Sequence, residues 1–122
     1  MTIQVLSDPA KEEATYIITV DFEDEDGDPV VPTSITWTLT DSSGTVINDR
    51  EDEVVAVPAP SIDIVLSGND LVVQSGETAS KVSRRLLIEA VVDTDAGSNL
   101  PIKDEVIFVI ENLLAVSYSP GE

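Results

Sequence analysis

Ser34-Ile35-Thr36-Trp37-Thr38-Leu39-Thr40 alternates without a break, with Ile35, Trp37 and Leu39 on one side of an extended chain and the threonines on the other. Successive side chains of a strand point to opposite faces, so a period of two at this length predicts a strand with one buried and one wet face. β-Branched threonines suit the wet side. A tryptophan between isoleucine and leucine on the apolar side is expected to anchor a core rather than to serve as a binding platform. Asp41-Ser42-Ser43-Gly44 follows as a hairpin connection, and residues 45–48 are expected to pair back onto the strand before it.

The same period recurs outward in both directions. Residues 15–23 place Tyr16, Ile18, Val20 and Phe22 on one side, and Asp24-Glu25-Asp26-Gly27-Asp28-Pro29 ends that strand in a turn. Residues 53–57 predict a short strand stopped by Pro58-Ala59-Pro60, and residues 61–66 alternate through Ile62, Ile64 and Leu66. Residues 71–78 have room for one short helical turn. The longest extended run is 81–93, with Val82, Leu86, Ile88, Ala90 and Val92 in one parity and Leu87 and Val91 in the other. A turn at 95–99 leads into a last strand, 102–111, built around Val106, Phe108 and Ile110, and residues 2–6 offer an edge strand through Ile3 and Val5. About seven strands with no long helix between them predict an all-β protein, an immunoglobulin-like antiparallel β-sandwich. The sandwich domain is expected over 15–112, with an N-terminal segment at 1–14 and a flexible C-terminal tail at 113–122.

Composition narrows the chemistry. The chain has 122 residues, 42% of them hydrophobic, enough for one core without a metal or disulfide. It has no cysteine and no histidine, which excludes disulfides, thiolate metal sites, His-activated nucleophiles and imidazole acid–base catalysis. The net charge is -18, from 24 acidic and 6 basic residues, and its field repels phosphate backbones and anionic lipid. Nucleic acid and membrane surfaces are therefore not expected partners. Residues 1–10 lack a basic region followed by an apolar one, and no apolar run approaches the roughly 18 residues a span needs, so neither a signal peptide nor a membrane segment is expected.

Three features remain as candidate sites. Asp24, Asp26 and Asp28 flank Gly27 in an oxygen-rich turn of the kind that holds a hard cation such as calcium. The EF-hand pattern fails, with Phe22 and Thr33 at its first and twelfth positions, so the primary expectation is a solvated turn with no bound cofactor. Lys81, Arg84 and Arg85 are half of the basic residues; they read either as a solvated face or as a docking point for an acidic neighbour. Finally, residues 86–88, 90–92 and 106–110 are apolar in both parities, whereas the outer face of a two-layer sandwich should be polar. The outward set, Leu87, Val91, Ile107 and Val109, is expected to be covered by the chain's own termini, a second copy or a larger assembly. Carboxylate-pair catalysis is not expected, because the acids fall in turns or on polar parities.

The segments Thr15-Tyr16-Ile17-Ile18-Thr19-Val20, Asp26-Gly27, Ser34 through Asp41, and Leu100-Pro101-Ile102-Lys103-Asp104-Glu105-Val106 resemble the small acidic Ig-like structural proteins of tailed bacteriophages and prophages. The likeness spans 15–112 and lies in strand and turn texture. It implies a non-enzymatic accessory module of a phage head or tail, present in the virion or in the bacterial cytoplasm before assembly, and held by copies of itself or by other virion proteins. It carries no functional residues with it. The alternative is a calcium- or carbohydrate-binding adhesion module using the acidic turn.

Overall fold

Alternation becomes burial strand by strand. In β3 (Thr15–Asp21) Tyr16, Ile18 and Val20 are buried, in β4 (Ser34–Asp41) Ile35, Trp37 and Leu39, and in β6 (Ser61–Ser67) Ile62, Ile64 and Leu66. The computed structural model describes residues 1–5, 8–74 and 76–113. Within them the remaining strands are β1 (Thr2–Gln4), β2 (Ala10–Lys11), β5 (Glu53–Val54), β7 (Lys81–Thr94) and β8 (Gly97–Glu111), with a single 3-10 turn at Gly68–Leu71.

These strands form two sheets, one ordered β1-β3-β6 and the other β2-β8-β7-β4-β5. Every pairing is antiparallel except that of β2 with β8, which is parallel and joins Ala10 to Ile110. The apolar parities of both sheets meet in one core, in which the rings of Tyr16 and Phe108 stack at 5.4 Å. The protein is thus a two-sheet, all-β domain. Among the described residues eight strands stand against about seven expected, because β1 and β2 add to the count and residues 45–48 do not form a strand.

Several boundaries differ from expectation. The strand expected over 53–57 stops at Val54, and the helical turn lies at Gly68–Leu71, ending where the expected stretch begins. Residues 45–48 return as one bridge, Thr40 to Val46, not as a strand. The tight corner that feeds them needs Gly44 at φ +93°, a conformation open to glycine and strained for other residues. The final strand begins at Gly97, five residues early, so β7 and β8 form one long ladder running from Lys81–Glu111 to Thr94–Gly97. The edge strand expected over 2–6 is present as Thr2–Gln4; Leu6 and, beyond Leu113, the expected flexible tail lie outside the described residues. Among the described residues no helix is long and apolar enough to cross a membrane.

Candidate functional site

The β7–β8 ladder turns its even-numbered residues inward. Val82, Leu86, Ile88, Ala90 and Val92 of β7 and Phe108 and Ile110 of β8 are buried against the other sheet. The odd-numbered residues therefore share the outer face, and the register sets Ser83 beside Val109, Arg85 beside Ile107, Leu87 beside Glu105, Glu89 beside Lys103 and Val91 beside Pro101. All four residues expected to form an interface are on that face. Leu87, Ile107 and Val109 lie close together on it, Leu87 and Ile107 as diagonal neighbours, while Val91 sits at the far end with Pro101. Ile107 keeps 58% of its surface exposed and the other three are half-buried.

Ion pairs stud the same face. Arg85 donates to Glu105 at 2.9 Å, Lys103 lies 3.7 Å from Glu89, and Lys11 of β2 reaches Glu111 at 2.9 Å. These are exposed or half-exposed pairs of little individual worth, but they fill the gaps between apolar side chains with balanced charge.

The free edge of β8 is guarded. The carbonyl of Glu111 accepts the Glu12 N–H, so Glu111 presents its backbone to the β2 side, and alternation turns Pro101, Lys103, Glu105, Ile107 and Val109 the same way. Pro101 has no N–H to offer, and the carboxylate of Asp104 accepts that of Glu105 at 2.8 Å. Proline, charge and self-capping all discourage a further strand from adding here, which leaves the face rather than the edge as the candidate surface.

The basic patch expected from Lys81, Arg84 and Arg85 does not form. Arg84 shares the inward parity with Val82 and Leu86, and its side chain is fully buried. Its guanidinium donates through both terminal nitrogens to Glu77, at 2.6 and 2.9 Å, and to the carbonyls of Val72 and Ser83. The Arg84 bond holds the Glu77 carboxyl below its ordinary range against the opposing effect of burial. Charge alone argues for solvent, but a bidentate carboxylate and two carbonyls take four of the five guanidinium N–H groups, and Nε is buried without a partner among the described residues. Lys81 and Arg85 do point outward, on the face described above.

A second ion pair, buried on its acidic side, had no signal in the sequence. Asp70, in the 3-10 turn, has a side chain only 1% exposed and accepts bonds from Arg50 Nε at 2.7 Å, Asn48 Nδ2 at 2.9 Å and the Ser67 N–H at 3.1 Å. Burial works to raise its pKa, and the bonds from Arg50, Asn48 and Ser67 together outweigh it, so the carboxyl sits below its usual range. Arg50 also pairs with Glu53 and lies 5.5 Å over the ring of Trp37. The cluster ties the β4–β5 connection to the turn after β6.

The acidic turn brings Asp24, Asp26 and Asp28 together, with one carboxylate oxygen of each within 4.8 Å of the others. Asp24 Oδ1 is already engaged, accepting the N–H groups of Asp26 and Asp28 at 2.9 Å each. That bond pattern shapes the turn by itself. Beside it, Phe22, Pro29 and Pro60 help to line a shallow concavity of about 310 Å³.

Compared with protein-family models, with curated proteins and with solved structures, the chain matches none.

Proposed function

We propose that the protein is a non-enzymatic interaction module with an immunoglobulin-like strand arrangement, serving as an accessory head or tail protein of a phage or prophage virion. The observation that carries the interaction reading is the outer face of the β7–β8 ladder, where Leu87, Val91, Ile107 and Val109 stand among charged residues while the second sheet covers only the inner face. Apolar side chains held rigidly on an exposed sheet face are how assembly surfaces are built. The strand order supports the immunoglobulin-like part. The run β8-β7-β4-β5 facing β1-β3-β6 follows the order of such sandwiches, and Trp37 occupies the strand where they place a core tryptophan. Asp70, the buried acid, is held ionised by Arg50, the opposite of what a general acid requires, and this favours a scaffold over a catalyst. The virion assignment rests on the resemblance of residues 15–112 to phage Ig-like proteins. Mass spectrometry of particles purified from the host that carries the gene tests it: this chain is expected in stoichiometric amounts, and particles that lack it overturn the virion assignment.

The proximity of Asp24, Asp26 and Asp28 favours a second reading, a calcium-dependent adhesion module. The leading reading expects the melting temperature to stay unchanged on adding millimolar calcium, since Asp24 already satisfies the turn. A calcium site at a hundred times its dissociation constant would instead stabilise the fold by about 2.7 kcal/mol. A rise with calcium that Asp26→Asn abolishes would replace the first reading with the second.

A further inference from the structure

Charge is distributed over this molecule very unevenly. On the outer face of the β2-β8-β7 part of the large sheet stand Lys11, Lys81, Arg85 and Lys103, four of the six basic residues, with Glu89, Asp93, Glu105 and Glu111, four of the 24 acids. The charges on that face balance. The other two cations, Arg50 and Arg84, are committed to Asp70, Glu53 and Glu77, so the excess negative charge lies on the rest of the surface. The second apolar spot on a sheet face, Ile17 beside Val65 on the small sheet, is flanked along the same pair of strands by Asp21 and Asp63 with no cation on either strand. Acids also return at the β5 margin of the large sheet with Asp52 and Glu53.

We infer that the β7–β8 outer face is the contact between two copies of this chain, related by a two-fold axis passing near Leu87 and Ile107. The inference rests on the assembly reading above and names its partner. A second copy brings the same charge of -18, and across most of the surface like charges repel. Only the face that mixes Arg85–Glu105 and Lys103–Glu89 pairs with Leu87, Ile107, Val109 and Val91 allows close approach. An alternation of cations and carboxylates is also self-complementary, as an isologous contact requires, because rotation can set Arg85 of one copy against Glu105 or Glu89 of the other. A strongly basic partner would be drawn to the rest of the surface and would gain least here.

The long-range repulsion between copies is screened over about 8 Å at physiological salt and over less at higher salt, so association through this face strengthens as salt rises. The test is the mass in solution, by light scattering across a concentration series at low and high salt. The wild-type mass is expected to double, at lower protein concentration in high salt. Ile107→Glu adds a charge to the centre of the face, where juxtaposed like charges oppose association, and is expected to weaken dimerisation at least tenfold. Because Ile107 is exposed in the monomer, this variant keeps its fold, which circular dichroism verifies. Ile17→Glu, on the opposite face of the molecule, is expected to dimerise in high salt as wild type does. A wild-type protein that stays monomeric at every concentration and salt overturns the inference, as does an Ile107→Glu variant that dimerises normally. A monomer found in particles removes the dimer and keeps the virion reading; a dimer absent from particles does the reverse.

Discussion

Glu77→Ala is expected to destabilise the protein by about 3–5 kcal/mol, because it leaves the guanidinium of Arg84 buried without its counter-charge. For a domain of this size that corresponds to a fall in melting temperature on the order of 10–20 °C. The expectation for Arg84→Met is different: an apolar side chain of similar length satisfies the inward parity of β7, and in the double variant with Glu77→Ala most of the loss should return. Urea denaturation of the two single variants and the double variant separates the cases. A loss below about 1 kcal/mol for Glu77→Ala would show that Arg84 finds water or other acceptors, and the account of its burial would be wrong. The pair also sets a pH dependence. The folded-state pKa of Glu77 lies below its ordinary, unfolded value of 4.5, so its contribution is fully present above that value and is lost as pH falls through the folded one. Between neutral pH and about pH 3, Glu77→Ala is therefore expected to lose less stability than wild type does.

The second large effect is expected at Asp70. Asp70→Ala removes the charged acceptor of Asn48 Nδ2 and of the Ser67 N–H, two part-buried hydrogen bonds worth about 1–2 kcal/mol each. Arg50, 36% exposed and still paired with Glu53, regains water, so its share is small and the total is expected near 2–4 kcal/mol. Asp70→Asn should recover part of this, since an amide oxygen still accepts one or two of the bonds. Because Arg50 lies over Trp37, the single tryptophan, its fluorescence should shift in the Asp70→Ala variant even in the folded state. Unchanged emission together with unchanged stability would mean that the cluster does not tie the β4–β5 connection to the turn after β6.

What the sequence makes legible here is whatever period two encodes. β3, β4 and β6 fall within two residues of their expected bounds, and every apolar residue named on their inward sides is buried. Arg84 was legible in principle, since it sits two residues from both Val82 and Leu86. Its charge masks that parity, and its partner Glu77 lies in an irregular segment where no period operates. Asn48, Arg50 and Asp70 meet only through long-range packing, which a local pattern does not carry. The early start of β8 was hidden by Asn99 and Pro101, residues that strands usually avoid; Pro101 is tolerated because its missing N–H faces the free edge. The outward apolar set was readable from its doubled parity. The charge balance around it was not, because it depends on which strand lies beside which.

The parallel pairing of Ala10 with Ile110 also imposes an order in time. β2 has no strand to pair with until β8 exists, so it is held back while about a hundred further residues are synthesised. At a synthesis rate of about 5–20 residues per second, Ala10 waits on the order of ten seconds before Ile110 is made. During that interval Tyr16, whose ring stacks on Phe108 in the finished domain, is without that partner. The surplus of carboxylates that restricts where two finished copies can meet also keeps nascent chains apart while their cores are incomplete.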